Sequence, residues 1–163
     1  MNKKTNFLVS FFPSVMMLLL SFIQFFVHYN VSVVFFVLSY VCAYFFVFYY
    51  PYFMPLLVLF IAGVLIDIAN DISFGLTSSL FLAMVIISYF ERKYVPKIDF
   101  IIAYAFFLLN VFLSLIFIEI INLISATNFL NSLKFSMWSV CFFPPVFIFS
   151  KLYINLLKSD NEY

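Results

Sequence analysis

Long apolar runs separated by short polar links make up most of this chain of 163 residues. Six runs have lengths suited to helices that cross the roughly 30 Å apolar core of a bilayer. The links between them are too short to fold as separate domains, and they make neighbouring helices antiparallel. The pattern predicts one all-α integral membrane domain, residues 1–163, built as a bundle of six transmembrane helices: 7–27, 31–49, 52–68, 74–90, 100–121 and 135–157.

Composition supports a membrane protein, because 67% of the residues are hydrophobic and 9% are charged, against roughly 25% charged in soluble domains. The first run exceeds the usual apolar core of a signal peptide, so it is interpreted as a membrane helix. A net charge of +1 gives no nucleic-acid footprint and no polybasic tail. Cys42 and Cys141 lie inside apolar runs, where they are expected to be small buried hydrophobes.

The basic residues predict the orientation, because cytoplasmic loops are enriched in lysine and arginine. With six spans, Lys134 falls on one side of the membrane. The other basic residues all fall on the opposite side: Lys3, Lys4, Arg92, Lys93, Lys97, Lys151 and Lys158. We therefore expect both termini in the cytoplasm and the links near His28, Asp71 and Thr127 outside. A five-span arrangement would divide the basic residues between the two sides.

One otherwise apolar segment, IAGVLIDIANDISFGL at 61–76, contains two aspartates and both glycines of the chain. Gly63, Asp67 and Asp71 are spaced by four, so on a continuous helix they would share one stripe. Asp67 is expected below the outer membrane surface, and a carboxylate at the bilayer centre costs about 2.5–3.5 kcal/mol. It should therefore face protein or water. Gly63 would let another helix approach closely and shield the carboxylate from lipid.

The polar residues after Asp67 predict a break between two helices. Asp71 or Ser73 could cap the helix that begins near Phe74, and Gly75 would allow a tight re-entry into it. Two interpretations of Asp67 remain open. It either makes an interhelical hydrogen bond with no chemistry, or it has a specific partner-binding or signalling role.

Charged residues also stand near the outer ends of the last two spans. Lys134 is the only basic residue on that side, so we hypothesise that it pairs with Glu119 or with one of the two aspartates. The alternative is a solvated lysine that extends to the membrane interface.

Two further features concern helix packing and shape. Asn110 and Ser114 lie one turn apart in the fifth span and are expected to bond to a neighbouring helix. Pro144 and Pro145 interrupt the sixth span and should bend it, because each removes a backbone donor.

The sequence does not predict an enzyme. His28 is the single histidine, and no second histidine or cysteine stands at metal-ligand spacing from it. A carboxylate dyad would need two facing groups, and Asp67 and Asp71 on one helix do not converge in that way. Glycine loops that cradle phosphate are absent from the sequence. We expect no catalytic residue, no cofactor and no metal.

The segment from Gly63 through Asp67 to Gly75 resembles the signature of the MreD family, the rod shape-determining membrane proteins of bacteria. In that family a G-x-x-x-D-x-x-x-x-x-x-x-G segment closes the third span and opens the fourth. The resemblance extends to chain length, to a basic hinge after the fourth span (Glu91-Arg92-Lys93) and to Phe142-Phe143-Pro144-Pro145 in the last span. Asp71 stands where the family is expected to have a small residue.

The resemblance implies a non-catalytic scaffold in the bacterial cytoplasmic (inner) membrane. Such a scaffold docks the bitopic protein MreC and works with the actin-like MreB and with cell-wall synthases in peptidoglycan synthesis and cell shape. Membrane lipid surrounds it. The residues expected to have structural or partner-binding roles are Gly63, Asp67, Asp71, Gly75, Glu119, Lys134, Pro144 and Pro145.

A second hypothesis follows from the similarity of that six-helix bundle to the substrate-binding components of energy-coupling-factor vitamin transporters. An outward vitamin site would draw on Asp67, Asp71, Glu119 and Asn122. Few hydrogen-bonding residues are available for a polar vitamin, since such sites need convergent polar groups. A small membrane chaperone or assembly factor is a third interpretation.

Overall fold

The structure is a computed structural model that describes residues 3–27, 29–71, 74–94, 100–125 and 132–159. Within these ranges the fold is all-helical, and the predicted order of six helices is confirmed. The helices are α1 (Lys3–Ile23), α2 (Tyr29–Tyr49), α3 (Leu56–Ala69), α4 (Leu76–Tyr94), α5 (Phe100–Ser125) and α6 (Ser132–Ser159). Short 3₁₀ turns follow α1 at Gln24–Phe26 and precede α3 at Pro51–Phe53.

Several helix ends differ from the predicted spans, and two of these differences bear on the candidate site. Helix α3 begins at Leu56 rather than at residue 52, because Pro55 has an extended backbone and directly precedes the first turn. Helix α4 continues to Tyr94, so Glu91 and the two basic residues after it belong to its last turns and not to a hinge.

Three helices are long and apolar enough to cross a membrane, among the residues described. The stretches are Ser32–Tyr49 in α2, Phe100–Ile120 in α5 and Lys134–Tyr153 in α6. Shorter apolar stretches occupy Phe11–Phe26 and Leu56–Ala69. The chain therefore has the character of a membrane protein, while the six crossings and the cytoplasmic termini stay predictions.

Helix α2 is the central helix of the bundle. Every residue from 39 to 48 is buried, and 72% of its apolar stretch is buried against 33% in α5 and in α6. A helix that is apolar on all sides is expected to be surrounded by other helices. Helices α1, α4 and α6 pack on α2, and α3 packs between α1 and α4.

Aromatic rings fill the space between α2, α5 and α6. The ring of Phe143 in α6 stacks on Phe107 of α5, with 4.3 Å between centroids, and makes an edge contact with Tyr44 of α2 at 6.2 Å. All three side chains are buried. Helix α6 is continuous through Pro144 and Pro145, so the prolines do not end it, and the bend expected there stays a prediction.

Candidate functional site

The carboxylate of Asp67 caps the first turn of α4. Its Oδ2 accepts the backbone N–H of Gly75 at 2.7 Å, and its Oδ1 accepts that of Thr77 at 3.0 Å. The first N–H groups of a helix have no partner inside it, and the helix dipole favours a carboxylate beside them. Gly75, which directly precedes α4, has no side chain to act as the acceptor. The end of α3 supplies it instead. Asp67 is fully buried, so of the two expected environments, protein and water, it has the protein one.

Gly63 allows α3 and α4 to touch one turn below this cap. A Cβ added at Gly63 would lie 2.6 Å from the Cα, the amide nitrogen and the Oγ of Ser78. Two of these atoms belong to the backbone and cannot rotate away. The Ser78 hydroxyl also donates to the carbonyl oxygen of Phe60 at 3.0 Å. The close helix approach predicted at Gly63 is therefore present, and α4 is the helix that approaches.

The link between the two helices is held by backbone geometry as well. Helix α3 has 14 residues and a length of about 21 Å, shorter than the roughly 30 Å apolar core. Polar backbone groups near the apolar core need protein partners.

Asp71 and Gly75 have positive φ angles of 52° and 93°, which glycine adopts freely and aspartate tolerates. Asp71 is exposed, so Asp67 and not Asp71 is the cap; Ser73, the other expected cap, lies outside the described residues.

A cluster of amides joins the ends of three helices beside this link. The Asn70 side chain donates to Oε1 of Gln24 at 3.1 Å, and Ser32 donates to Oδ1 of Asn70 at 2.6 Å. Gln24 follows α1, Ser32 lies near the start of α2 and Asn70 ends α3. The cluster therefore fixes α1 and α2 against the hairpin that Asp67 closes.

A second polar cluster lies deep between α2 and α5. The Tyr40 hydroxyl donates to Oδ1 of Asn110 at 2.5 Å and lies 2.5 Å from Oγ of Ser114. Because tyrosine has one hydroxyl hydrogen, Ser114 is the donor in the second contact. All three residues are buried. The expectation that Asn110 and Ser114 bond to a neighbouring helix is confirmed, and that helix is α2.

A third polar contact joins α2 to the far end of α4. The Tyr44 hydroxyl donates to Oε2 of Glu91 at 3.0 Å, and Glu91 as a whole is 5% exposed. Oε1 of Glu91 has no hydrogen-bond partner within the described structure. Glu91 therefore packs inside the bundle, although its sequence neighbours are basic.

The remaining predicted site residues are not brought together. Asp71, Glu119 and Lys134 are exposed, on the α3–α4 link, on α5 and at the start of α6. Pro144 is half-buried and Pro145 is exposed on α6. Cys42 is buried as expected, but Cys141 is exposed on α6, so the expectation of two buried cysteines is wrong for Cys141. Both oxygens of Asp67 accept backbone N–H groups, so the hydrogen-bond partners of Asp67 in this site are backbone amides and not Lys134. Among the described residues no ion pair joins Lys134 to Glu119, so that expected pairing is not observed.

The site chemistry is that of helix capping and interhelical hydrogen bonding. Within the described ranges, no group of three or more histidine, cysteine, aspartate or glutamate side chains could hold a metal ion. Asp67 touches backbone amides of its own chain, which makes it a structural acceptor. Gly63, Asp67 and Gly75 thus act together as one device, which closes the α3–α4 hairpin.

Sequence reasoning missed the amide cluster and the role of Glu91. Gln24 and Asn70 are amides at the ends of apolar runs, and that position is itself a signal, since polar groups in such runs need protein partners. Glu91 was interpreted with its basic neighbours as a hinge. The heptad-like spacing of Thr77, Met84 and Glu91 on the buried face of α4 could have identified it.

Comparison with known proteins identifies no relative of this chain. A scan against protein-family models and searches of curated proteins and of solved structures found no match to this chain.

Proposed function

We propose that this chain is a non-catalytic scaffold of the bacterial rod-shape and cell-wall elongation complex, in the cytoplasmic membrane. It would dock an MreC-like bitopic protein and regulate peptidoglycan synthesis together with an MreB-like actin homologue and cell-wall synthases. The proposal rests on the resemblance of its Gly63–Asp67–Gly75 segment to the MreD signature. Membership of that family is part of the proposal.

One observation carries the proposal: the three signature residues form a single structural device. Gly63 removes the side chain that would strike Ser78, and Asp67 caps α4 through Gly75 and Thr77. A motif that positions two helices suits a protein that presents a membrane surface to others. The same carboxylate, held by two backbone donors, is unsuited to proton transfer or metal binding.

The vitamin-transporter alternative draws less support from the geometry. Asp67 is committed to the helix cap, while Asp71 and Glu119 are exposed on separate elements. One cavity of about 320 Å³ lies between α1, α2 and α6, and its wall includes Met16, Leu38 and Val146. Such a lining offers few of the hydrogen-bonding groups that a polar vitamin needs.

The experiment is a pull-down of the tagged protein from its native membrane, with the co-purifying proteins identified by mass spectrometry. Wild type is compared with Asp67→Asn and with Asp71→Asn, which makes the same change at an exposed position. We expect wild type and Asp71→Asn to recover an MreC-like protein and cell-wall synthases. Asp67→Asn should recover less at equal abundance, because the α3–α4 hairpin is loosened.

Other outcomes have definite meanings. Recovery of paired ATPases in place of cell-wall proteins would show a transporter component and refute the proposal. Equal recovery of the MreC-like protein with all three forms would support the scaffold function and would show that Asp67 is not needed for partner docking.

A further inference from the structure

Helix α5 has one buried face and one exposed apolar face. With about 100° of rotation per residue, Ala103, Phe107, Asn110, Ser114 and Ile118 fall on one side, and these residues are buried. The opposite side exposes Ile101, Leu108, Phe112, Ile116 and Glu119, and we name these five residues the α5 face.

Glu119 makes the α5 face unlike a surface built for lipid alone. It lies in the same stripe as Ile101 and Phe112, which are 79% and 59% exposed, and inside the apolar stretch Phe100–Ile120. Among the described residues, no side chain forms a hydrogen bond or an ion pair with it. Ionisable groups within membrane helices usually face protein or water and pair with an opposite charge.

The position of Glu119 along α5 defines where a partner's charge must be. It lies 19 residues after Phe100, or about 28 Å along the helix axis, close to the full thickness of the apolar core. The α5 face therefore offers an apolar strip of nearly bilayer length that ends in one acidic group. By the orientation predicted from the basic residues, that end is the outer one.

We propose that the α5 face docks one transmembrane helix of a single-span partner that carries a lysine or arginine near the outer end of its span. The inference rests on the proposed scaffold function and names the surface and the chemistry of docking. Charge complementarity selects this occupant. A second copy docked in parallel through the same face would place two Glu119 carboxylates together, and like charges repel.

The test is photo-crosslinking from the α5 face in living cells. A photoreactive phenylalanine analogue replaces Phe112, and in a matched control it replaces Phe149, which is 73% exposed on α6. We expect position 112 to crosslink a single-span protein with a basic residue at the outer end of its span. Position 149 should not.

Charge reversal then tests the role of Glu119. Glu119→Lys should lower the crosslink yield from position 112 by about fivefold or more, as expected for an interhelical polar contact. Replacing the partner's basic residue by glutamate should restore it. Asp71→Lys, which makes the same change at an exposed site predicted on the same side, should leave the yield unchanged.

Several results would overturn the docking inference. These are crosslinks from position 112 to lipid only or to a second copy of the chain, equal crosslinks from position 149, or a yield unaffected by Glu119→Lys. Its failure is separable from failure of the scaffold function. If the pull-down recovers an MreC-like protein but position 112 gives no crosslink, only the proposed docking surface is refuted. If position 112 crosslinks a basic single-span protein unrelated to the cell wall, only the proposed function is refuted.

Discussion

The carboxylate of Asp67 accepts the backbone N–H of Gly75 at 2.7 Å, so an acid at the end of α3 closes the start of α4. Together with the close approach at Gly63, this contact joins α3 and α4 into one packed pair of helices. Any surface that depends on the relative position of α3 and α4 depends on these few atoms.

The first prediction concerns the cap. Asp67→Asn keeps one acceptor oxygen but places an amide against the second N–H, and the buried backbone donor of Thr77 loses its partner. We expect the free energy of unfolding in detergent micelles to fall by about 1–2 kcal/mol. Amide exchange at Gly75 and Thr77 should quicken. Asp71→Asn should change stability by less than about 0.5 kcal/mol. Equal effects of the two substitutions would contradict the capping role.

The second prediction concerns the helix approach. Alanine normally stabilises a helix relative to glycine by about 0.5–1 kcal/mol. Gly63→Ala should instead destabilise the protein by about 1–3 kcal/mol, because its Cβ meets the backbone of Ser78. Combining it with Ser78→Ala should not restore stability, since the backbone atoms remain. Thermal unfolding of the single and double variants measures both effects. A stabilised Gly63→Ala protein would show that α3 and α4 are further apart.

The third prediction concerns the cluster between α2 and α5. Tyr40→Phe removes the hydroxyl that bonds Asn110 and Ser114. Interhelical hydrogen bonds in membranes contribute about 0.6 kcal/mol on average and up to about 1.7 kcal/mol, and this residue makes two. We expect a loss of about 1 kcal/mol and a non-additive double-mutant cycle with Ser114→Ala. Tyr89→Phe, at an exposed tyrosine of α4, serves as the control. An additive cycle would show that the two side chains do not interact.

The fourth prediction concerns membrane orientation. Starting from a variant without Cys42 and Cys141, one new cysteine is placed by Tyr52→Cys or by Asp71→Cys, both at exposed positions in links between helices. A membrane-impermeant thiol reagent added to intact spheroplasts should label position 71. Position 52 should be labelled only after the membrane is opened. The reverse pattern would invert the topology, and labelling of both positions from outside would rule out a crossing by α3.

Some site contacts were within reach of the sequence. Glycine four residues before a buried aspartate indicates a close helix approach that shields a carboxylate, and the structure has that approach. The N–H groups that bond to Asp67 could not be predicted, because the carboxylate that caps α4 comes from the preceding helix, α3. A cap usually comes from the residue directly before the helix. Glu91 shows the same limit. Its basic neighbours suggested a hinge, while the extra turn of α4 places it against Tyr44.

The sequence by itself determined the helical class and the order of the six helices, since long apolar runs and short links leave the backbone few other ways to satisfy its hydrogen bonds. It also excluded a lipid-facing position for Asp67, which had to face protein or water, because a lipid-facing carboxylate is costly. Only the tertiary structure decided which helix is central, which N–H groups Asp67 accepts and which face of α5 stays open. Those outcomes depend on contacts between residues far apart in the chain, and apolar runs of similar composition do not distinguish a central helix from a peripheral one.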